Sequence, residues 1–492
     1  MRIDNEKKPV LGIDLGTTYS AISRWTEKGP KVYQNPRREY TWASVVYYDE
    51  RQEKPLVGNL ALKRALIDPE NAVIGVKRMM DDANQKIKLG NKEFTPVEIS
   101  SMILRDVYEY AEKSTPGFDP AGVVVTVPYY FTALQNTNTS EAATAAGLNV
   151  LGIIQEPVAA ALAYGVHEEE TLNDEIIMVF DLGGGTFDLT IFRFTNSEEK
   201  LTFEVLATGG DDRLGGLDFD QVLSEYIEKK AGLNLQNESA ENVLKAKTAL
   251  LEAAKEAKEI LSFEETTDII KPNILPGQHI EIEIEREEFE QCMVRYFNKM
   301  DAIIDTVIDK ASLSKSDIDR VIKVGGSSRI PKIEEILTQK LGSNKTFGNI
   351  DPDLCVAEGA SIYAAFLDER VEWSKEIEIK TATAHALGIG LGDGRFSMLI
   401  PGNRRTPCEA TRIFTTNTDN CEELDIDLYQ GSSKFIKNNK KIGTIHVSGL
   451  TKRPAGELDI EITFRINQQQ TVSVTIVQKE SNIRKIENVK LA

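Results

Sequence analysis

The sequence predicts a duplicated, two-lobed α/β region followed by a smaller all-β region, and three observations point to it. Apolar runs of strand length alternate with long helical patterns from residue 10 to about 370. A glycine-rich loop following an apolar run occurs twice, at 12–18 and at 181–188, and repetition at that separation marks a duplicated unit. Beyond 383 apolar residues alternate with polar ones, the period of half-buried antiparallel strands.

Taken in order, the strands expected in the first region are 123–127, 176–180, 189–194 and 321–324, with helices at 99–112, 241–261 and 288–311. This is too long for a single mononucleotide-binding unit. The segment 373–383 is mostly polar, with isoleucines only at Ile377 and Ile379, and reads as a linker. After it, Leu424, Ile426 and Leu428, then Leu458, Ile460, Ile462, Phe464 and Ile466, then Val472, Val474 and Ile476 alternate with polar residues, as in a small β-sandwich. The expected organisation is 1–372, a linker at 373–383, and a sandwich at 384–492, with no helical domain expected after it.

Composition excludes several classes. With 492 residues, 41% hydrophobic and 27% charged, the chain has enough apolar surface for a large core, and no apolar run approaches the roughly 20 residues of a membrane span. The N-terminus lacks a signal-peptide pattern, so a cytoplasmic protein with no membrane partner is expected. Cys292, Cys355, Cys408 and Cys421 are scattered without metal-ligand spacing and read as incidental thiols. A net charge of −19 argues against a nucleic-acid partner. From Thr381 onward the balance is +3, leaving −22 before it, so the two regions are compositionally distinct.

The loops carry the chemistry. In the first, Asp14 precedes Gly16, Thr17, Thr18 and Tyr19; in the second, Asp181 precedes Gly183, Gly184, Gly185, Thr186 and Asp188. Glycines let backbone amides approach phosphate oxygens, threonine hydroxyls add donors, and an aspartate suits a hydrated Mg²⁺. One such loop is weak evidence. Two imply a nucleotide triphosphate held between halves. A third element, Gly325, Gly326, Ser327 and Arg329, ends a strand and opens a helix, a position suited to an adenosine or its α-phosphate.

GIDLGTTYS, VTVPYYF, QEPVAAALAYG, FDLGGGTFDLT, LGGLDFD and VGGSSRIP together resemble the 70-kilodalton heat-shock chaperones, within the actin and hexokinase superfamily. The resemblance covers about residues 10 to 370 and extends more loosely through LGIGLGDGRFSMLIPGN, RIFTTNTDN and LDIDLYQG. It implies an actin-like, ribonuclease-H-like duplicated ATPase domain using ATP/ADP and Mg²⁺, with K⁺ as a further ion. By the same resemblance Asp14, Glu156 and Asp181 hold Mg²⁺ through its waters, and Asp188 helps to place a monovalent cation or the attacking water. Lys77 matches the family's catalytic lysine. Thr17, Thr18, Tyr19, Gly183 to Gly185, Thr186, Gly209 and Gly210 join the nucleotide-contacting set. Lys255, Lys258 and Ser262 face the adenosine from one side, and Gly326, Ser327, Arg329 and Asp353 from the other. Leu387, Ile389, Leu391, Phe396, Leu424 and Ile426 are expected to line a groove for unfolded, hydrophobic polypeptide. They serve equally well as sandwich core. A J-domain co-chaperone and a nucleotide-exchange factor are the implied partners.

The sequence departs from that family in places that transmit rather than bind. Lys255 stands where a glutamate is usual and Glu259 where some members have an arginine. Glu376 to Thr381 replaces a continuous apolar linker, Asn136 and Gly152 replace coupling arginines, and Gly392 and Asn417 stand where family members often build an arch over the client, so a missing arch is expected. Weakened coupling is therefore expected, and a nucleotide-gated switch for one dedicated partner is the alternative function. A sugar kinase or filament-forming relative shares the loops but has no need of the trailing β-region.

Overall fold

In a computed structural model the chain is described over residues 8–167, 174–197, 199–236, 238–343, 345–347, 350–369, 376–467, 472–478 and 484–487. The boundary expected at 372/373 and the start of the 373–383 segment lie outside the described residues.

Two six-stranded sheets have the same core topology. In the first, Val10–Asp14 lies between Gly122–Val127, parallel to it, and Tyr19–Thr26, antiparallel; Val150–Gln155 and Gly29–Val32 lie outside these. In the second, Glu175–Leu182 lies between the parallel Arg320–Val324 and the antiparallel Phe187–Asn196, with Thr346–Phe347 and Lys200–Asp211 outside. Each central strand runs into one of the glycine loops. Both are buried over most of their length, so they read as continuous apolar runs rather than alternating ones.

The expected helices are present as Pro96–Ser114, Ala240–Leu261 and Arg286–Lys310. The first starts where it does because Thr95 caps the Glu98 amide, the Glu98 side chain returns to Thr95, and Pro96 occupies a position whose amide has no helical partner. Helices Glu156–His167 and Cys355–Leu367 join an apolar cluster with strands of both sheets, including Val10 and Val124 of one and Ile177 and Val179 of the other. Their backbones touch: a Cβ on Gly359 would lie 1.8 Å from the Ala159 carbonyl oxygen. Glycine is required there by space alone.

The C-terminal strands form two four-stranded antiparallel sheets. One is ordered Phe396–Ile400, Leu387–Gly390, Glu423–Gln430, Lys440–Ser448; the other Cys408–Phe414, Ile460–Ile466, Val472–Gln478, Arg484–Glu487. Their alternating apolar residues share one cluster, which includes Leu428, Ile442, Phe464 and Val474. Leu134, at the start of helix Ala133–Ala145, enters the same cluster.

The segment read as a polar linker is in part a strand. Glu376–Lys380 pairs in parallel with Lys200–Asp211, with Ile377 opposite Leu201 and Ile379 opposite Phe203. Ile377 is buried and Ile379 packs against the same cluster, while Glu378 pairs with Lys200 at 3.1 Å. A continuous apolar stretch is unnecessary because side chains in a strand alternate, so two isoleucines two residues apart face one side while the ladder supplies the backbone bonds. The contact that the polar composition argued against is therefore made.

Further contacts join the β-region to the α/β region. The His385 Nε2 lies 2.8 Å from the Tyr130 carbonyl, Asn403 donates to the Leu206 carbonyl at 3.0 Å, Arg405 pairs with Glu204, and Lys440 lies 3.1 Å from Asp81.

Candidate nucleotide site

The two glycine loops meet face to face. A Cβ on Gly184 would lie 1.8 Å from the Thr18 hydroxyl oxygen, and one on Gly185 would lie 2.5 Å from that of Thr17. Only glycine lets the loops approach so closely. The second loop is fixed by its own turn, Gly183 amide to Thr186 carbonyl at 3.1 Å, and by the start of helix Gly216–Lys230, whose Gly216 and Leu217 amides donate to the Gly183 and Gly184 carbonyls. Arg78 ties the first sheet's region to this loop, donating to the Gly185 carbonyl at 3.0 and 2.6 Å.

Above the loops is a cleft of about 410 Å³, a size suited to a small ligand. It brings together Asp14, Gly16, Thr17, Thr18, Tyr19, Lys77, Glu156, Asp181, Gly183, Gly184, Thr186, Lys255, Lys258, Ser262, Gly325, Gly326, Ser327, Arg329 and Asp353. These residues, singled out from short segments hundreds of positions apart, line one cleft.

Lys77 stands in a short 3₁₀ turn, Val76–Met79, is almost fully buried, and forms an ion pair with Glu156. Its ammonium also lies 5.8 Å from the centre of the Phe131 ring. Asp14 accepts a hydrogen bond from the Thr126 hydroxyl at 2.9 Å, and Asp188 accepts one from the Tyr130 amide at 3.2 Å. Burial, reinforced by the neighbouring Glu156, pushes the Asp14 carboxyl up to about 7 and that of Asp188 up to about 8. Asp181 is pushed up by the same two causes.

Four carboxylates thus face one lysine, a deficit of positive charge in a buried site. The other Asp188 carboxylate oxygen and the Thr18 hydroxyl are buried with no hydrogen-bond partner among the described residues, so polar groups stand ready for a ligand. Among the described residues no three carboxylates, cysteines or histidines converge closely enough to bind a metal directly. The donor set fits a hard cation that keeps its own waters.

On the opposite wall Lys258 pairs with Asp220 at 2.6 Å. Lys255 donates to the Tyr19 hydroxyl at 2.7 Å and lies 4.5 Å from that ring's centre. Arg329 pairs with Asp351 and Asp353 at 3.1 and 2.8 Å. Glu259 and the exposed Phe263 stand at the cleft as well.

Four expected site residues, Gly185, Asp188, Gly209 and Gly210, do not line the cleft. Gly209 and Gly210 lie in strand Lys200–Asp211, opposite Leu189 and Asp188. Their small size answers to packing: a Cβ on Gly209 would lie 2.3 Å from Val307 and one on Gly210 would lie 2.3 Å from the Phe187 carbonyl oxygen. Sequence reasoning missed Asp220, Thr126 and Arg78 as individual residues, although the first two sit within LGGLDFD and VTVPYYF and Arg78 directly follows Lys77.

Of the six residues expected to line a peptide groove, three are buried and three are half-buried. Leu387, Ile389 and Ile426 are buried in the β-region's cluster, Leu391 and Leu424 pack against it, and Phe396 is half-buried. Gly392 and Asn417 do stand together, since a Cβ on Gly392 would lie 2.8 Å from the Asn417 amide nitrogen. Asn136 lines a small cavity of about 40 Å³ with Tyr129, Phe131, His385 and Leu387, its buried side-chain oxygen without a hydrogen-bond partner among the described residues. At Gly152 a Cβ would meet Leu367 at 3.0 Å. No helix among the described residues is long and apolar enough to cross a membrane.

The model of a protein family described as Hsp70 protein matches residues 10–89 and 80–492 of the chain.

Proposed function

The chain belongs to the Hsp70 family, and from that premise we propose that it is a chaperone that cleaves ATP slowly in the cleft and binds extended hydrophobic polypeptide in its β-region. Members of this family are ATPases that bind unfolded polypeptides and work with J-domain and nucleotide-exchange co-chaperones. The observation that carries the reading is the meeting of the two loops, Thr17 against Gly185 and Thr18 against Gly184, at a cleft that the buried Lys77 also lines. Two lobes closing on a triphosphate, and a β-sandwich following them, are the arrangement this implies.

In that reading the amides of Gly183 to Gly185 and the hydroxyls of Thr17, Thr18 and Thr186 bind phosphate oxygens. Asp14, Glu156 and Asp181 would hold Mg²⁺ through its waters, and the bound ion would supply neutralisation of phosphate charge. Lys77 meets charge on the γ-phosphate and Asp188 orients the attacking water. Because the reaction needs mainly positioning and neutralisation, no side-chain nucleophile is required. Lys255, Lys258 and Ser262 against Gly326, Ser327, Arg329 and Asp353 hold the adenosine.

Single-turnover hydrolysis of ATP, with dissociation of a fluorescent hydrophobic peptide followed with and without ATP, tests both halves. Thr186→Ala should retain nucleotide and lose cleavage. Absence of both slow hydrolysis and peptide binding in the wild type would sink the proposal. Asn136 and Gly152, in place of arginines, favour a second reading, a nucleotide-gated switch for one dedicated partner. Broad peptide binding or strong acceleration by an ordinary J-domain would count against that one.

A further inference from the structure

A second cavity, of about 250 Å³, lies behind the cleft and shares Thr17, Lys77 and Thr186 with it. Those three side chains are buried, whereas Asp212 and Arg213 at its other end are exposed. The space therefore runs from the wall where the two phosphate loops meet to solvent, without passing the Lys255 and Arg329 side of the cleft. We propose that it is the exit passage for inorganic phosphate, with Arg78 as its latch. The proposal rests on the hydrolysis of ATP argued above.

Size suits the ion, and the lining sets Lys77, Arg78 and Arg213 against Asp81, Asp212 and Asp218. A phosphate has five heavy atoms and displaces on the order of 90 Å³, about three waters' share of liquid volume, so the cavity holds it with part of its hydration. While ADP fills the cleft, the adenosine stands between the cleaved phosphate and the mouth near Phe263, so departure that way must wait for ADP. Departure through the second cavity need not.

Arg78 lines the passage. Its guanidinium donates to the Gly185 carbonyl and to both carboxylate oxygens of Asp218, and Asp218 also accepts from the Gly215 amide at 2.8 Å. A planar guanidinium binds phosphate and carboxylate in the same bidentate way, so Arg78 can exchange Asp218 for the departing ion without losing an anionic partner. Farther out, the negative charge of Asp81 is offset by Lys440 of the β-region at 3.1 Å. At the rim Arg213 attracts an anion and the neighbouring Asp212 opposes it.

The test adds inorganic phosphate to the full chain already loaded with a fluorescent ADP analogue and follows the rate at which phosphate begins to slow ADP departure. The wild type should show this slowing without prior loss of ADP. Arg213→Glu, a surface change, should reduce its onset rate about fivefold or more at low salt, and the difference should shrink as salt screens the charge. Asp218→Asn, which weakens the latch, should raise the onset rate. If phosphate acts only after ADP has left, or the onset rate is the same in the wild type and in Arg213→Glu at low salt, the passage is refuted. Failure to bind the ADP analogue at all would instead overturn the nucleotide reading, and the passage with it.

Discussion

Tyr129 and Ala382 are joined by two hydrogen bonds, the phenol donating to the Ala382 carbonyl at 2.7 Å and accepting from the Ala382 amide at 3.2 Å. Both residues are buried, and one hydroxyl thus satisfies both backbone groups of a residue just beyond the docked strand. Tyr129→Phe leaves that amide and carbonyl dry, at about 1–3 kcal/mol for a buried group left unpaired. The expected outcome is loosened docking with an intact cleft: hydrogen exchange should speed over 376–382 and the nucleotide affinity should stay within about twofold. Unchanged exchange there would show that the bonds contribute nothing to docking.

His385 makes the same junction sensitive to acid. Burial holds its imidazole below the ordinary range, partly offset by the bond to the Tyr130 carbonyl; Asp212 favours its protonation while Lys440 and Lys310 oppose it. Since the docked state prefers the neutral ring, its contribution is complete above the free value of about 6.5 and is lost as pH falls from there toward the lowered folded value. Cleavage of the 373–383 segment by a protease should therefore rise as pH falls below about 6.5. His385→Gln should flatten that rise, and an equally steep rise in the variant would assign it to other groups.

Lys77→Ala removes the partner of a buried Glu156. Cleavage in a single turnover should fall by about a hundredfold or more, as when a charge-stabilising donor is lost, while ADP binding, measured by titration, changes by less than about tenfold. A variant that cleaves ATP at the wild-type rate would move the catalytic role elsewhere.

Ile377→Asp puts a carboxylate where the docked strand meets the apolar cluster. Burying it unpaired costs several kcal/mol, so Glu376–Lys380 should leave the edge of the second sheet. Amide exchange in 200–204 should rise while that in 187–194 stays protected. Peptide release should then respond less to ATP, and an undiminished ATP effect would show that the strand is not the route of communication.

Much of the cleft's lining was legible because its signals are local. A loop with Asp, Gly and Thr in fixed order announces itself within eight residues, and its second copy declares the duplication. The placement of Gly209 and Gly210 was not legible, because a glycine kept small by Val307 on a distant helix looks the same in sequence as one kept small by a ligand. The β-region illustrates the same limit: alternation told that Leu387, Ile389 and Ile426 face one way, but not whether interior or client lies on that side. The docked strand was missed for a related reason. Two isoleucines among charges look like solvated linker until the edge of Lys200–Asp211 is there to receive them.

That edge has an arithmetic of its own. Ile377 and Ile379 face inward at one register, and a slip of a single residue would turn every side chain of the strand over, presenting Glu376, Glu378 and Lys380 to the interior. No intermediate offset is tolerated, so the junction is a digital element: seated, or out. An insertion of one residue between the strand and Ala382 would break the phase between Ile377 and the Tyr129 hydroxyl, whereas a conservative change of side chain would leave it intact. Spacing in this stretch, more than chemical identity, is what the molecule has to keep.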